Sequence, residues 1–448
     1  MSLGNAHAHA LCRRFSGTFF IVGTSYSLHN QRIVKASNIM CKVPRMSSAK
    51  GDNSSLDKPD IQYNFENSWI WKRKLRLQHT GWLQYIPPLL LGNLSMLVSQ
   101  GLAYFTTTTT VTSWLMTIAK LLWAVGVVDI LTIKFNVIRP PDEPLPKRLN
   151  DDTKEDKSCD MISIMHLRHS CRSFQPRKLS NKDREEILHI ATIESKQTIG
   201  TSSIRFEYVA SPLNVWPTVN CQEFLVAIGP ATYDRMAVID IGRSLQAVVL
   251  HATMMGLGTC WIGPGADHES ILATLVPEGR YNSETDHIVC VCAIGYKSLF
   301  IPLAIRIFNK IGYFRKPCSE LFFADSSLEV PLDTTKHPWD RFAKCYEAAR
   351  WSPSSYNAQP TRAVGTWDRD TDTVRFDFLS STKSRYYAPV AVGTWLCDWE
   401  TACESIGVRG KFAVLTSEER GIDADDDLPT LPVYNISWVQ TSDESKEQ

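Results

Sequence analysis

The stretch Leu167-Arg168-His169-Ser170-Cys171-Arg172-Ser173-Phe174 sets two guanidiniums and a hydroxyl at every second residue. Placed directly after a helix-like run, Arg168, Ser170 and Arg172 can converge on one doubly charged anion such as a phosphate monoester. Arginine suits that work, because its planar fork gives paired, charge-assisted hydrogen bonds to phosphate oxygens. A solvated basic turn would have the same spacing, so other parts of the chain must decide.

Two further stretches offer ligand chemistry. Trp351-Ser352-Pro353-Ser354-Ser355-Tyr356-Asn357-Ala358-Gln359-Pro360 packs hydroxyls, two carboxamides and two further-restricting prolines between a predicted helix and strand. Prolines fix the backbone while Ser, Asn and Gln offer donors and acceptors, which suits a heteroaromatic ring and its polyol chain; a capped turn is the plainer alternative. Gly256-Leu257-Gly258-Thr259-Cys260-Trp261-Ile262-Gly263-Pro264-Gly265 could present bare backbone N–H groups to a planar ligand, or could simply stop a helix and turn.

The elements that must position these stretches follow from periodicity. Met161 to His166 reads as a short helix, and Ser180-Asn181-Lys182-Asp183 opens another, with Ile187, Leu188 and Ala191 at helical spacing. Ile204 to Ser211, Glu223 to Gly229 and His287 to Ile294 read as strands, Ala237 to Met255 as a central core helix, and Gly258 to Gly265 as a sharp turn. A half-repeat is visible: the interval from Gly242 to Gly256 equals that from Gly393 to Gly407, and Phe342 to Arg350 with a strand at Thr361 matches Ile187 to Glu194 with a strand at Ile204. Asp368-Arg369-Asp370 joins two strands as a hairpin turn.

Before this α/β part the composition changes. Trp82 to Phe105 carries no charged residue, and Val111 to Ile133 is interrupted only by Lys120 and Asp129, with Thr106 to Thr110 between them. The pair reads as a hydrophobic helical hairpin over 79–138, a membrane anchor through residues 82–133 or an apolar arm packed on a soluble domain or on a second subunit. Lys72, Arg73, Lys74 and Arg76 before it and Lys134 and Arg139 after it place both open ends on the same, positively biased side. Residues 1–78 hold a basic, acid-free start from Met1 to Lys50 that suits a transit peptide or an unstructured tail, and 139–158 is a Pro-rich charged linker.

The formal net charge of +1 over 448 residues offers no single-sign field for nucleic acid. Twelve cysteines without a C-x-x-C pair predict neither a zinc site nor a disulfide framework, and Cys290 and Cys292 read as packed thiols. The stretch after Ser417, with Asp425-Asp426-Asp427, reads as an acidic tail over 418–448.

Taken together, the Arg-x-Ser-x-Arg-x-Phe stretch at Arg168 to Phe174, Gly-Leu-Gly-Thr-Cys-Trp-Ile-Gly, Gly295-Tyr296 and Pro-Ser-Ser-x-Asn-x-Gln-Pro resemble the nitroreductase family of flavin enzymes over Cys159 to about Ser417. The order departs from the usual one. The loop that ordinarily follows the Arg/Ser stretch is degenerate at Ser195 to Ser203, and the intact loop occurs only in the second half. The chain therefore looks like an internally duplicated nitroreductase. The expected fold is α+β, with two pseudo-symmetric α/β lobes at 159–330 and 331–417 behind the hairpin.

The resemblance implies an internal pseudo-dimer that completes one FMN site within a single chain. Arg168, His169, Ser170, Arg172 and Arg315 would lie along the phosphate, ribityl chain and pyrimidine edge. Ser354, Ser355, Asn357 and Gln359 would close over the flavin, and Ile262, Gly263, Pro264 and Gly265 would lie beside its ring. No side-chain catalyst and no metal is implied; His169 and His251 read as structural. NADH or NADPH would be the donor, and a quinone, nitroaromatic or similar small molecule the acceptor. A binding or scaffold protein without turnover, reductive dehalogenation and flavin fragmentation remain as alternatives, with an organellar (plastid or mitochondrial) or endomembrane location. Ser298 to Tyr313 is an insertion whose role as lid or amphipathic helix stays open.

Overall fold

The computed structural model describes residues 86–105, 109–135, 149, 160–422 and 431–441, except 212, 214, 216–217, 264–265, 300, 302–305 and 307–313. The predicted N-terminal region, nearly all of the linker, Pro264, Gly265, most of the 298–313 insertion and Asp425 to Asp427 lie outside the described residues. The apolar runs form α1 (Ile86–Phe105) and α2 (Thr109–Phe135), which pack against each other. Among the described residues no helix is long and apolar enough to cross a membrane, which corrects the expectation of two spans. The first run begins with Pro87-Pro88 and carries Asn93, Ser95, Ser99 and Gln100, while the second carries Lys120 and Asp129.

The first half begins with α3 (Met161–Leu167), whose Asp160 cap accepts from the Ile162 N–H, and α4 (Asn181–Glu194), capped by Ser180 as the sequence indicates. Its sheet contains β1 (Arg205–Val209), β2 (Glu223–Pro230), β3 (Gly258–Ile262) and β4 (Asp286–Gly295) in the order β1-β2-β4-β3, every pairing antiparallel. Between β2 and β3 runs α5 (Arg235–Met254), and α6 (His268–Leu275) follows β3. Cys290 and Cys292 are packed in the core beside Leu225 and Ile294.

The stretch predicted as a sharp turn at Gly258 to Gly265 instead starts as the edge strand β3, paired from Gly258 opposite Gly295 to Ile262 opposite Val291. Thr259, Cys260, Trp261 and Ile262 are good strand formers, and the turn is made earlier by Gly256, whose φ is +76°.

The second half contains α7 (Ala343–Trp351), α8 (Tyr387–Ser405) and α9 (Ser417–Arg420). Its sheet combines β5 (Phe322–Phe323), β6 (Thr361–Asp368), β7 (Thr373–Ser380), β8 (Gly410–Ala413) and β9 (Val433–Gln440) in the order β5-β6-β7-β9-β8. Without β5, this order repeats that of the first sheet, and β6 and β7 form the hairpin expected at Asp368 to Asp370. Two boundaries are corrected. β9 lies inside the sheet between β7 and β8, so the folded part runs through Gln440 and does not end near Ser417. Asn435, Ile436, Ser437 and Trp438 are its buried residues, and the acidic run merely precedes them. β5 pairs in parallel with β6, so the chain has already joined the second sheet at Phe322, ahead of the expected boundary at 330.

α5 and α8 form the contact between the halves. A Cβ at Gly242 would stand 3.0 Å from the Gly393 Cα, and one at Gly393 would stand 2.8 Å from the Gly242 Cα, so the two backbones touch where both residues lack a side chain. Around this crossing Trp399 of α8 packs edge-on to Phe376 at 4.6 Å and stacks on Phe342 at 5.9 Å, filling the second core. Gly393→Ala should therefore destabilise the chain by about 3 kcal/mol or more in chemical denaturation, as overpacking against rigid backbone. Gly407→Ala, at φ +73° with open space around it, should cost only about 1 kcal/mol.

Candidate functional site

Arg168 is the C-cap of α3, its N–H donating to the Ile164 carbonyl at 2.9 Å. The chain then runs extended along β3, with a parallel bridge between Ser170 and Thr259 and the Cys171 N–H donating to the Thr259 carbonyl at 2.7 Å. Cys171 fills the space that a Cβ at Gly258 would need, so the alternation of an extended segment puts Arg168, Ser170 and Arg172 on the other side. Arg168 is only 7% exposed, and among the described residues no hydrogen bond engages its guanidinium. His169 stays exposed, its Nδ1 2.9 Å from the Leu167 carbonyl oxygen.

The loop after α7 supplies the facing wall. Tyr356, Asn357 and Gln359 all have left-handed backbone, at φ +54°, +53° and +49°, a conformation that persists only when neighbours hold it. Several bonds do so. The Gln359 N–H donates to Ser354 Oγ at 2.9 Å, with Ser355 in the short 3-10 turn between them. Thr394 Oγ1 donates to the Pro353 carbonyl at 3.0 Å, and Ser352 Oγ donates to the Asp398 carboxylate. Gln246 Nε2 of α5 donates to the same carboxylate at 3.0 Å, so Asp398 of α8 ties the loop to both central helices.

Arg315 arrives from the segment that crosses between the sheets. Its Nη1 donates to Asn357 Oδ1, its Nη2 to the Trp351 carbonyl at 3.3 Å, and its guanidinium lies 5.5 Å from the Trp351 ring centre. Asn357 Nδ2 donates to the Phe314 carbonyl at 2.6 Å, and Gln359 Oε1 accepts from the Lys316 N–H at 2.8 Å. Both predicted carboxamides therefore hold the Arg315 segment.

The electrostatics show which groups share a neighbourhood. Burial lowers the Arg168 pKa against the opposing charge of Asp398. Burial, then the charges of Arg168 and Arg350, lowers that of Arg315 to about 10. Asp398 is pushed up to about 6 by burial, opposed by the Ser352 and Gln246 hydrogen bonds and by Arg168 and Arg315. Two partly desolvated guanidiniums against one carboxylate leave a buried surplus of positive charge, which an anion would offset.

The structure thus bonds Arg315 to the 351–359 segment and leaves Arg168 within electrostatic reach of Arg315 and Asp398. Ile262 and Gly263 lie at the end of β3, where a Cβ at Gly263 would be 3.4 Å from the Tyr387 ring, itself edge-on to Tyr356 at 6.2 Å. His251 pairs with Glu186 at 3.0 Å, a surface role on α5. Sequence reasoning passes over Asp398, Gln246 and Tyr387, and includes Trp351 and Ser352 in the loop without giving either a role. Asp398 had a signal: it is the one acid in the otherwise apolar run Trp395-Leu396-Cys397-Asp398-Trp399.

A family model described as putative TM nitroreductase matches residues 160–402. Among solved structures, a protein of Thermotoga maritima described as a putative nitroreductase is similar at 14% identity, over 65% of this chain and 97% of that one, with a TM-score of 0.37. A nitroreductase with bound FMN from Bacteroides fragilis aligns at 16% identity over 32% of this chain and 91% of that one (TM-score 0.27). One from Desulfitobacterium hafniense, also with bound FMN, aligns at 16% over 33% and 93% (TM-score 0.27). No curated protein matches.

The raised Asp398 pKa fixes the sign of a pH effect. A carboxyl raised from its ordinary 3.8 to about 6 contributes stability that is complete below the lower value and is lost as pH rises through the upper one. Moving from neutral pH to about 5 should therefore stabilise the wild type relative to Asp398→Asn by roughly 1 kcal/mol, measured by chemical denaturation of both at each pH.

Proposed function

Because the chain belongs to the putative TM nitroreductase family, we propose that it is an FMN-dependent oxidoreductase. In this reading a reduced nicotinamide dinucleotide, NADH or NADPH, is the donor and a quinone, nitroaromatic or similar electron-poor small molecule the acceptor. The observation that carries the reading is Arg168: a residue 7% exposed, its guanidinium without a hydrogen bond among the described residues, within electrostatic reach of the half-buried Arg315 from the crossing segment. Such a group suits a phosphate monoester, since its planar donors would otherwise stay desolvated and unsatisfied.

The two halves form an internal pseudo-dimer in this proposal. The shared strand order of the sheets, and the α5–α8 crossing at Gly242 and Gly393, support it. One composite site remains. Arg168, Ser170 and Arg172 come from the first half and Arg315 from the crossing segment, while the 354–359 loop closes from the second. At the degenerate equivalent, Arg243 donates to the Gln197 carbonyl at 2.8 Å and pairs with Glu400, so a side chain fills the corresponding loop contact.

The residues fit the flavin through that donor set. When bound, FMN supplies hydride uptake and release at its N5. Arg168 and Arg172 bind its phosphate and polar edge, Arg315 adds charge, and Asn357 and Gln359 keep the Arg315 segment in place. A backbone N–H at Ile262 or Gly263, at the end of β3, would supply a fixed donor to the flavin ring and so stabilise the charge that develops on it. Tyr387, against Gly263, and Tyr356, edge-on to it, would border the ring. Asp398 is a positioning residue that anchors Ser352 and balances the arginines.

The purified chain should show a flavin absorbance that bleaches anaerobically with NADH or NADPH. The double change Arg168→Ala and Arg172→Ala should weaken FMN binding by about 100-fold or more, the effect of losing two charge-assisted contacts. A colourless protein that refuses added FMN would remove the proposal.

A further inference from the structure

The hairpin of α1 and α2 is packed inside out. Its seam buries small residues: Gly92, Ser99, Ala119 and Gly126. Gly92 lies against Trp123, where a Cβ would stand 2.8 Å from Cδ1, and Ser99 Oγ approaches Met116 Sδ at 3.6 Å, an antiparallel register. Large apolar side chains point outward instead. Leu94, Leu97 and Val98 on α1, and Trp114, Ile118 and Leu121 on α2, are 50–69% exposed. A water-soluble hairpin would bury its large residues and expose its small and polar ones. Small residues at the seam with bulky apolar ones outside is the arrangement of helices packed in lipid, where no hydrophobic force acts between helices and close backbone approach gives the attraction.

We propose that α1 and α2 dock as one hairpin onto a lipid layer, their exposed large apolar side chains entering its outer hydrocarbon. A second copy of the chain would cover a strip of roughly 100°, yet the exposed positions 120, 121, 123, 124 and 125 together span about 200° of the circumference of α2. Charge selects the lipid surface. The joining end, Thr106 to Thr110, is uncharged, whereas Lys72, Arg73, Lys74, Arg76, Lys134 and Arg139 flank the open end in the sequence and match anionic headgroups. Lys120 is the exception on the exposed face, and its long stem lets the ammonium reach toward the headgroups.

The inference is independent of the flavin reading, and its test does not use activity. The full chain is mixed with vesicles of phosphatidylcholine, with or without phosphatidylglycerol, and centrifuged through a density gradient. The wild type should float, more completely with the anionic lipid, and the triple change Leu94→Glu, Leu97→Glu, Leu121→Glu should stay at the bottom. An unchanged denaturation midpoint shows that the variant keeps its α/β body; if the midpoint falls, Leu97→Glu alone is compared in the same way and should float less. Flotation unaffected by these changes, a wild type that never floats, or a discrete lipid-free dimer in light scattering would each overturn the proposal.

Discussion

The contact on which the remaining structure depends is the crossing of α5 and α8 at Gly242 and Gly393. Two helices can bring their backbones this close only where both lack a Cβ, so the crossing point is set by sequence. That closeness fixes the offset between the sheets. It also brings Gln246 of one helix within hydrogen-bonding distance of Asp398 on the other. With a wider spacing, neither the Asp398 bridge nor the meeting of Arg168 with the second-half loop would form.

From the crossing, order passes outward through polar contacts. Asp398 accepts from Ser352 and Gln246, Thr394 fastens the Pro353 carbonyl, and the loop thus pinned holds Asn357 and Gln359 against the Arg315 segment. Each link is between parts distant in sequence. Three left-handed residues in one short loop are costly in isolation, at about 1 kcal/mol or more each, and this mesh of hydrogen bonds maintains them. Arg168, buried, and Arg315, half-buried, are the other half of the same balance, since Asp398 offsets part of their charge.

Local signals made much of this visible in the sequence. Arg168, Ser170 and Arg172 were marked by their spacing, the Ser354 to Gln359 loop by its prolines and amides, and the halves by equal glycine intervals. What stayed hidden required pairing partners. β3 was mistaken for a turn because glycines flank it, although its extended form depends on β4; Gly258 is there to admit Cys171. β9 follows an acidic run, and only the neighbouring β7 and β8 reveal that it belongs inside a sheet. Asp398 was hidden by its helix, where one polar residue among apolar ones has no meaning until Ser352 and Gln246 are found beside it.

The short strand β5 fixes the segment that carries Arg315 from the first sheet to the second. After β4 the backbone leaves the first sheet, presents Arg315 to Asn357 and Trp351, and within a few residues pairs Phe322 and Phe323 with Ala363 and Val364 of β6. Arg315 is thereby anchored in the second half while its chain belongs to the first. Phe322 buries this attachment against Trp395 and Tyr346, at 5.4 and 4.7 Å between ring centres. Apolar burial thus holds the crossing segment at β5, and hydrogen bonds to the loop aim the guanidinium just before it. The same logic separates body from hairpin: in the α/β part large aromatic residues face inward around Trp399, whereas in α1 and α2 they face outward, so the two parts are built for different surroundings.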